Sequence, residues 1–462
     1  MKRNEEIHGG RLIGFPRAYL LALPVGLIAG SLGAAFHYCL DQAYAFHTAI
    51  AAQLGGETAL SIVAASLIGA VMTVSAYWMV VRFAPEAGGS GIQEIEGAMA
   101  GLRTMRWVRV MIVKFVGGIL AIGAGLVLGR EGPTVHMGGC VGKWIGEKTN
   151  ADPETMNTLL AAGAAAGLSA AFGAPLASIL FVMEEMRNRF HFSFIAIHAV
   201  AIASLTAKVM NDQVFGIGPL LPIELKFSMS EIAPFPQLIL EQLPLYVGLG
   251  ILIGICGAGF NTSLLACLAF FDRMSSRARF LFALVLGGLA GALMLLAPSF
   301  VGGGGTFVQA VFANTAFLHI LVVLLIVRTG MTFLSYSSGV PGGIFAPMLA
   351  IGAIIGMCFG VITKEYVPYV EVPPGVFALA AMGGLFAATV RAPLTGIVLV
   401  AELTSSFDLL GVLIVTCIVA SITAQLLGSK PIYDSLLDRT LSNAAKLEEA
   451  KEESEVASIV AD

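Results

Sequence analysis

The chain has 462 residues, 57% of them hydrophobic and 12% charged, with a net charge of −4. A soluble domain carries about 25% charged residues, so this composition excludes a water-soluble fold, and lipid is the solvent that fits. The mild negative charge excludes a basic face for nucleic acid.

Met1–Arg17 mixes basic residues with Glu5 and Glu6, and the apolar run Ala18–Leu40 follows. That run is longer than a signal-peptide core and reads as the first membrane segment. A spanning helix needs about 20 apolar residues. Residues 58–81 and 409–429 meet this, and 280–327 and 329–363 are each long enough for two segments. The stretches 110–128, 133–142, 156–183, 372–390 and 392–401 are shorter, or are interrupted by Gly, Pro and charge. Such a mixture is expected of a transporter with broken helices. The 54 Gly residues fit close helix packing in lipid.

Basic residues cluster in four loops: Arg103, Arg106 and Arg109; Lys143 and Lys148; Arg187 and Arg189; and Arg273, Arg277 and Arg279. Residues 41–57 and 298–312 carry no Lys or Arg, and 211–239 carries only Lys226. The positive-inside rule puts the four basic loops in the cytoplasm, with both termini expected there as well. Residues 110–142 therefore enter and return, with Arg130-Glu131-Gly132-Pro133 at their middle. Leu441–Asp462 is charged and reads as a short solvated cytoplasmic tail after a transmembrane domain over residues 1–440.

The sequence repeats itself. Ala174-Pro175-Leu176 and Ala392-Pro393-Leu394 each open an apolar run ending in acid, at Glu184 and Glu402, with a shift of 218. Upstream of each lies a G-x-x-x-P, Gly129 to Pro133 and Gly343 to Pro347. The halves are roughly 18–210 and 240–429, and a transporter's substrate site usually lies where such halves meet. Their relative direction is not readable from the repeat.

Three Gly-rich segments carry the chemistry: Gly89-Ser90-Gly91, Gly129-Arg130-Glu131-Gly132-Pro133 and Gly343-Ile344-Phe345-Ala346-Pro347. Each reads as a helix start, where the first N–H groups lack partners and the dipole is positive. Within a membrane, that is an anion site of partial charges, weak enough to release its ion. Close packing is the plainer reading of any one segment alone. Glu131 at such a start could occupy the anion position and leave it when protonated. At membrane depth an ionised carboxylate costs about 2.5–3.5 kcal/mol. Glu184 and Glu185 are either a helix end facing water or a proton entry point. Lys114 and Arg328 are expected to snorkel or pair, and Arg391 and Glu402 to be structural. Tyr433 offers one hydroxyl near the end of the last membrane segment. The six Cys form no C-x-x-C pair and the seven His no H-E-x-x-H pair, so neither metal nor cofactor is expected. An intramembrane enzyme using Ser90 lacks a recognisable base.

The motifs GSGIQEIEG, GREGPTVHMGG, GAPLASILFVMEE, SSGVPGGIFAPML and RAPLTGIVLVAEL resemble, in order and spacing, the CLC family of chloride channels and chloride/proton exchangers. The resemblance covers about Leu20 to Thr440. It implies an all-α polytopic membrane protein of two inverted repeats of tilted and broken helices, acting as a homodimer in the cell inner (plasma) membrane. By the same resemblance, Ser90 and Tyr433 give hydroxyls to the anion, and Ile344 and Phe345 give backbone N–H groups. Glu131 matches the gating glutamate, Glu185 the inner proton-transfer glutamate, and Glu184 its neighbour on the water route. Glu185 favours a chloride/proton antiporter over a passive channel. Ser90 favours chloride. Gln93 stands where most relatives carry Pro, which bears on fine selectivity. No CBS pair is expected.

Overall fold

The computed structural model describes residues 17–190, 193–214, 235–303, 317–367 and 372–461. Sixteen α-helices lie among them. They are α1 (Arg17–Gln53), α2 (Ala59–Phe83), α3 (Ile92–Met99), α4 (Trp107–Gly123), α5 (Glu131–Lys148), α6 (Pro153–Phe172), α7 (Pro175–Glu185) and α8 (Phe194–Val209). The second half holds α9 (Phe235–Asp272), α10 (Ser276–Leu296), α11 (Leu318–Ser337), α12 (Phe345–Tyr366), α13 (Pro374–Val390), α14 (Pro393–Thr404), α15 (Leu410–Leu426) and α16 (Ile432–Ala461). Nine helices among the described residues are long and apolar enough to cross a bilayer, and α13 and α14 are shorter apolar pieces. The expected spans mostly fall on helices, but 280–327 and 329–363, each long enough for two segments, hold three α-helices among the described residues, α10, α11 and α12, and the sequence pattern does not reveal α8 and α9. Helix α8 has only 16 residues, below a span's usual length, and α9 carries Gln242, Pro244 and Asn261 within its apolar run. Residues Met1–Pro16, the loop with Lys226, and 304–312 lie outside the described residues.

Lipid shapes the surfaces. Helix α2 exposes Leu60, Val63, Leu67 and Val71 outward. Its inner face carries Gly69, where a Cβ would sit 2.3 Å from the carbonyl oxygen of Gly287 on α10. Only small residues permit such approach. The same device recurs in each half at the packing of paired helices. A Cβ on Gly142 of α5 would lie 2.0 Å from Leu159 O of α6, and one on Gly356 of α12 would lie 2.3 Å from Phe377 O of α13.

The two halves are inverted. Helix α6 stops at Gly173 (φ +68°) and α7 restarts on Pro175; α13 stops at Arg391 (φ +70°) and α14 restarts on Pro393. Proline suits the first turn of each restarted helix because that N–H has no partner to lose. Arg391 holds a left-handed conformation that costs a non-Gly residue about 1–2 kcal/mol. Its guanidinium offsets this by donating to Ser421 O (2.7 Å) and Ser429 O (2.6 Å). The C-terminal Glu184 of α7 accepts from the first amides of α14, Leu394 N at 3.1 Å and Thr395 N at 2.7 Å. Reciprocally, the Glu402 carboxylate of α14 accepts from Leu176 N (3.1 Å) and Ala177 N (2.8 Å) of α7. Each helix ends where the other begins, so the pair is antiparallel.

Candidate functional site

The three Gly-rich segments meet at one place. Gly129 and Gly343 exchange backbone hydrogen bonds of 2.7 and 2.8 Å, one from each half. Gly89 N donates to Val340 O and Gly342 N donates to Gly89 O, both at 3.0 Å. This knot needs glycine: a Cβ on Gly132 would lie 2.8 Å from Ser90 Oγ and 3.0 Å from Gly343 Cα. Helices α3, α5 and α12 therefore all begin around the same buried point, as the sequence predicts. Their N-cap residues, Gly91, Arg130 and Ile344, give no side-chain cap to the first amides. With no cap from the preceding residue, those helix starts leave partial positive charge available to an anion or a carboxylate.

Glu131 is buried and curls back over its own loop. Its Oε2 lies where a Cβ on Gly129 would fall. The carboxyl group reaches the amide of Ala346 at the start of α12, and Oε2 has no hydrogen-bond partner. A carboxylate from one half thus sits on the helix start of the other.

Ser90 and Tyr433 are both fully buried, and neither Ser90 Oγ nor Tyr433 Oη completes a hydrogen bond. The two hydroxyls are neighbours, so α3 and the first turn of α16 present paired polar groups to one volume. Ile344 and Phe345 are also fully buried. Phe345 stacks against Phe386 (centroids 4.3 Å) and Phe172 (4.9 Å), while Phe181 lies 6.5 Å from Tyr433. These rings keep the surroundings apolar, which strengthens the few dipoles present.

Lys114, expected to snorkel or pair, finds its partners inside. It is fully buried and donates to Gly89 O (2.6 Å) and Ser90 O (3.0 Å). It draws the carbonyls of the Ser90 turn towards itself. On the other side, Tyr336 Oη accepts from Ser90 N at 3.4 Å. Arg328 likewise turns inward, to the carbonyls of Ser299, Val301 and Gly302. A buried cation with several backbone acceptors needs no water at its head.

Two acids end α7 and diverge. Glu184 spends its carboxylate on α14, with a further bond from Thr395 Oγ1 at 2.7 Å. Glu402 spends its carboxylate on α7 in the mirrored way. Glu185 stands beside Glu96 of α3 and Asp434 of α16, and Asp434 pairs with Arg189 at 3.3 Å. The sequence pattern does not single out Glu96, which is almost fully buried beside Glu185. The available signal was the acid pair Glu94 and Glu96 inside an otherwise buried segment. Glu94 proves to be the partner of Arg103 at 3.0 Å, which leaves Glu96 for Glu185. Gln93 is buried with Oε1 unpartnered, at the first turn of α3.

Residues 68–425 match the family described as Voltage gated chloride channel. The chain is 44% identical over 429 residues to an H(+)/Cl(-) exchange transporter ClcA of Vibrio parahaemolyticus, covering 92% of this chain and 90% of that relative. It is 43% identical over 436 residues to a ClcA of Yersinia pseudotuberculosis, covering 94% and 89%. Its fold is similar to that of a slow cyanobacterial Cl-/H+ antiporter, with TM-score 0.87, 37% identity and coverage of 93% and 99%. It also shares the fold of a eukaryotic CLC transporter, with TM-score 0.76, 23% identity and coverage of 91% and 73%.

Proposed function

The chain belongs to the voltage gated chloride channel (CLC) family, and from that premise we propose that it exchanges chloride for protons across a lipid bilayer. The observation that carries this reading is the Glu131 carboxyl lying at the uncapped start of α12, beside the unpaired hydroxyls of Ser90 and Tyr433. A carboxylate and a halide compete for the same amides. When Glu131 takes a proton it loses its charge and its claim on the helix dipoles, so it leaves. Chloride then binds between the N–H groups of Ile344 and Phe345 and the hydroxyls of Ser90 and Tyr433. The proton travels inward to Glu185, where Glu96 stands close enough to share it and Asp434 adds a nearby charge. Glu131 returns charged and expels the anion, which closes the cycle.

The second reading is a passive chloride channel. The acid cluster around Glu185 favours exchange, because a channel has no use for a carboxyl relay. In this reading the four basic loops, α7's C-terminus and both chain termini face the cytoplasm, which the positive-inside rule supports, and family resemblance supports the plasma membrane as the host and a homodimer as the working unit. Within this layout, residues 1–440 form the transport domain and 441–462 a charged tail.

Purified protein in liposomes, followed with chloride and pH electrodes together, tests the reading. A chloride gradient is expected to drive protons uphill in a fixed ratio. Chloride movement with no proton movement selects the channel.

A further inference from the structure

The end of the site opposite Tyr433 carries a chain of side chains that the cycle above does not use. Arg130 immediately precedes Glu131, yet its guanidinium turns away. One nitrogen, Nη1, contacts Nδ1 of His37 on α1, and Nη2 donates to Ala171 O at 3.0 Å. The other nitrogen of His37, Nε2, lies 3.2 Å from Asp41 Oδ2, one helical turn along α1. The His37 side chain is 21% exposed and that of Asp41 is 62% exposed. A continuous line therefore runs from an exposed carboxylate through an imidazole to the residue beside Glu131. Tyr44 of α1 and Arg328 of α11 complete the charged and titratable surroundings, together with Glu131 itself.

Donor arithmetic fixes the states. Arginine has five N–H donors and no acceptor, so its contact requires a lone pair on His37 Nδ1. The imidazole is then neutral, and its proton sits on Nε2, facing Asp41. Adding a proton to Nδ1 sets two donors and two positive charges face to face, and the contact breaks.

We propose that His37 is a positioning residue for the Glu131 gate, holding Arg130 away from it while neutral and releasing Arg130 when protonated. This rests on the reading of Glu131 as the gate. The released guanidinium is one residue from a carboxylate that lies on α12. Its charge draws that carboxylate off the anion position. Acid thus acts twice on the gate, once on Glu131 and once through His37.

The test is chloride flux from liposomes at equal pH on both faces, scanned from about pH 3.5 to 8. The wild type is expected to speed up on acidification. His37→Asn retains an acceptor but cannot titrate, and its midpoint is expected to move acidward by about one unit. Asp41→Asn, which removes the partner that favours the imidazolium, should move the midpoint the same way by less. The chloride-to-proton ratio stays unchanged in both variants. An unmoved midpoint overturns the proposal, and so does a changed ratio, which would put His37 in the proton path instead. Nitrogen-15 spectra of His37 in the wild type read the geometry without any variant. Nδ1 is expected unprotonated at pH 7.5, and a protonated Nδ1 overturns the proposal. Failure of the exchanger reading shows differently, as absent uphill proton movement in the wild type, with midpoints and spectra still measurable.

Discussion

The first half of the chain places Glu131 where the second half places Phe345. Both follow a glycine by two residues and open a helix without a side-chain cap, and their glycines hydrogen-bond to each other. The backbones are matched, but the side chains are opposites. Glu131 reaches across to the partner half's helix start with one oxygen unsatisfied, while Phe345 is locked among Phe172, Phe181 and Phe386. The same contrast recurs at the ends of α7 and α14. Glu184 and Glu402 are equivalent and do equivalent work, each capping the other's helix. The next residues differ: Glu185 joins an acid cluster and Leu403 is buried core. Lys114 and Arg328, offset by the same 214 residues as Gly129 and Gly343, both satisfy buried carbonyls. Chemistry shared by the halves builds the scaffold and the helix starts, and in the proposed cycle the acids present in one half alone carry the proton.

The sharpest way to break this comparison is to make the halves alike at the gate. Glu131→Gln should cut proton flux by about a hundredfold or more, the scale of losing a proton-transfer group, while chloride passage is maintained or increased. Dual-electrode flux measures both. If Glu131→Gln kept its proton flux, the asymmetry at this position would carry no function. Glu185→Gln should stop protons to a similar degree and spare chloride. Coupled flux surviving in that variant would assign the inner step to Glu96 or Asp434 instead. Tyr433→Phe removes one donor to a charged ligand, worth about 1.5 kcal/mol, so chloride affinity by calorimetry should fall by roughly tenfold.

Much of this architecture is legible in the residues because lipid is a strict solvent. Charge-free runs, Pro at helix restarts and the 218-residue repeat locate most elements and both halves. The three Gly-rich segments are readable as helix starts for the same reason, since few other roles suit Gly and Pro together at membrane depth. Inversion is not legible, because a repeat records composition and spacing but not direction. It emerges only from the reciprocal caps of Glu184 and Glu402. The inward turn of Lys114 is hidden too, since its acceptors lie 24 and 25 residues away in sequence. Glu96 is obscured by its resemblance to Glu94, and only the Arg103 pairing separates them.

The smallest expected effect tests the symmetric pair itself. Sequence resemblance places Glu184 on the water route to Glu185, whereas its carboxylate lies on the first amides of α14 and on Thr395 Oγ1. Glu402 lies on α7 in the mirrored way. If capping is the whole of its role, Glu184→Ala and Glu402→Ala should each cost about 1–2 kcal/mol, the loss of a charged cap at a helix N-terminus. Thermal unfolding in detergent should show both at similarly lowered Tm, with the chloride-to-proton ratio unchanged in each. Glu184→Ala is therefore the discriminating variant. Should it slow protons while Glu402→Ala does not, Glu184 carries a duty its twin lacks. The division between shared scaffold and one-sided chemistry would then run through a single matched pair of residues.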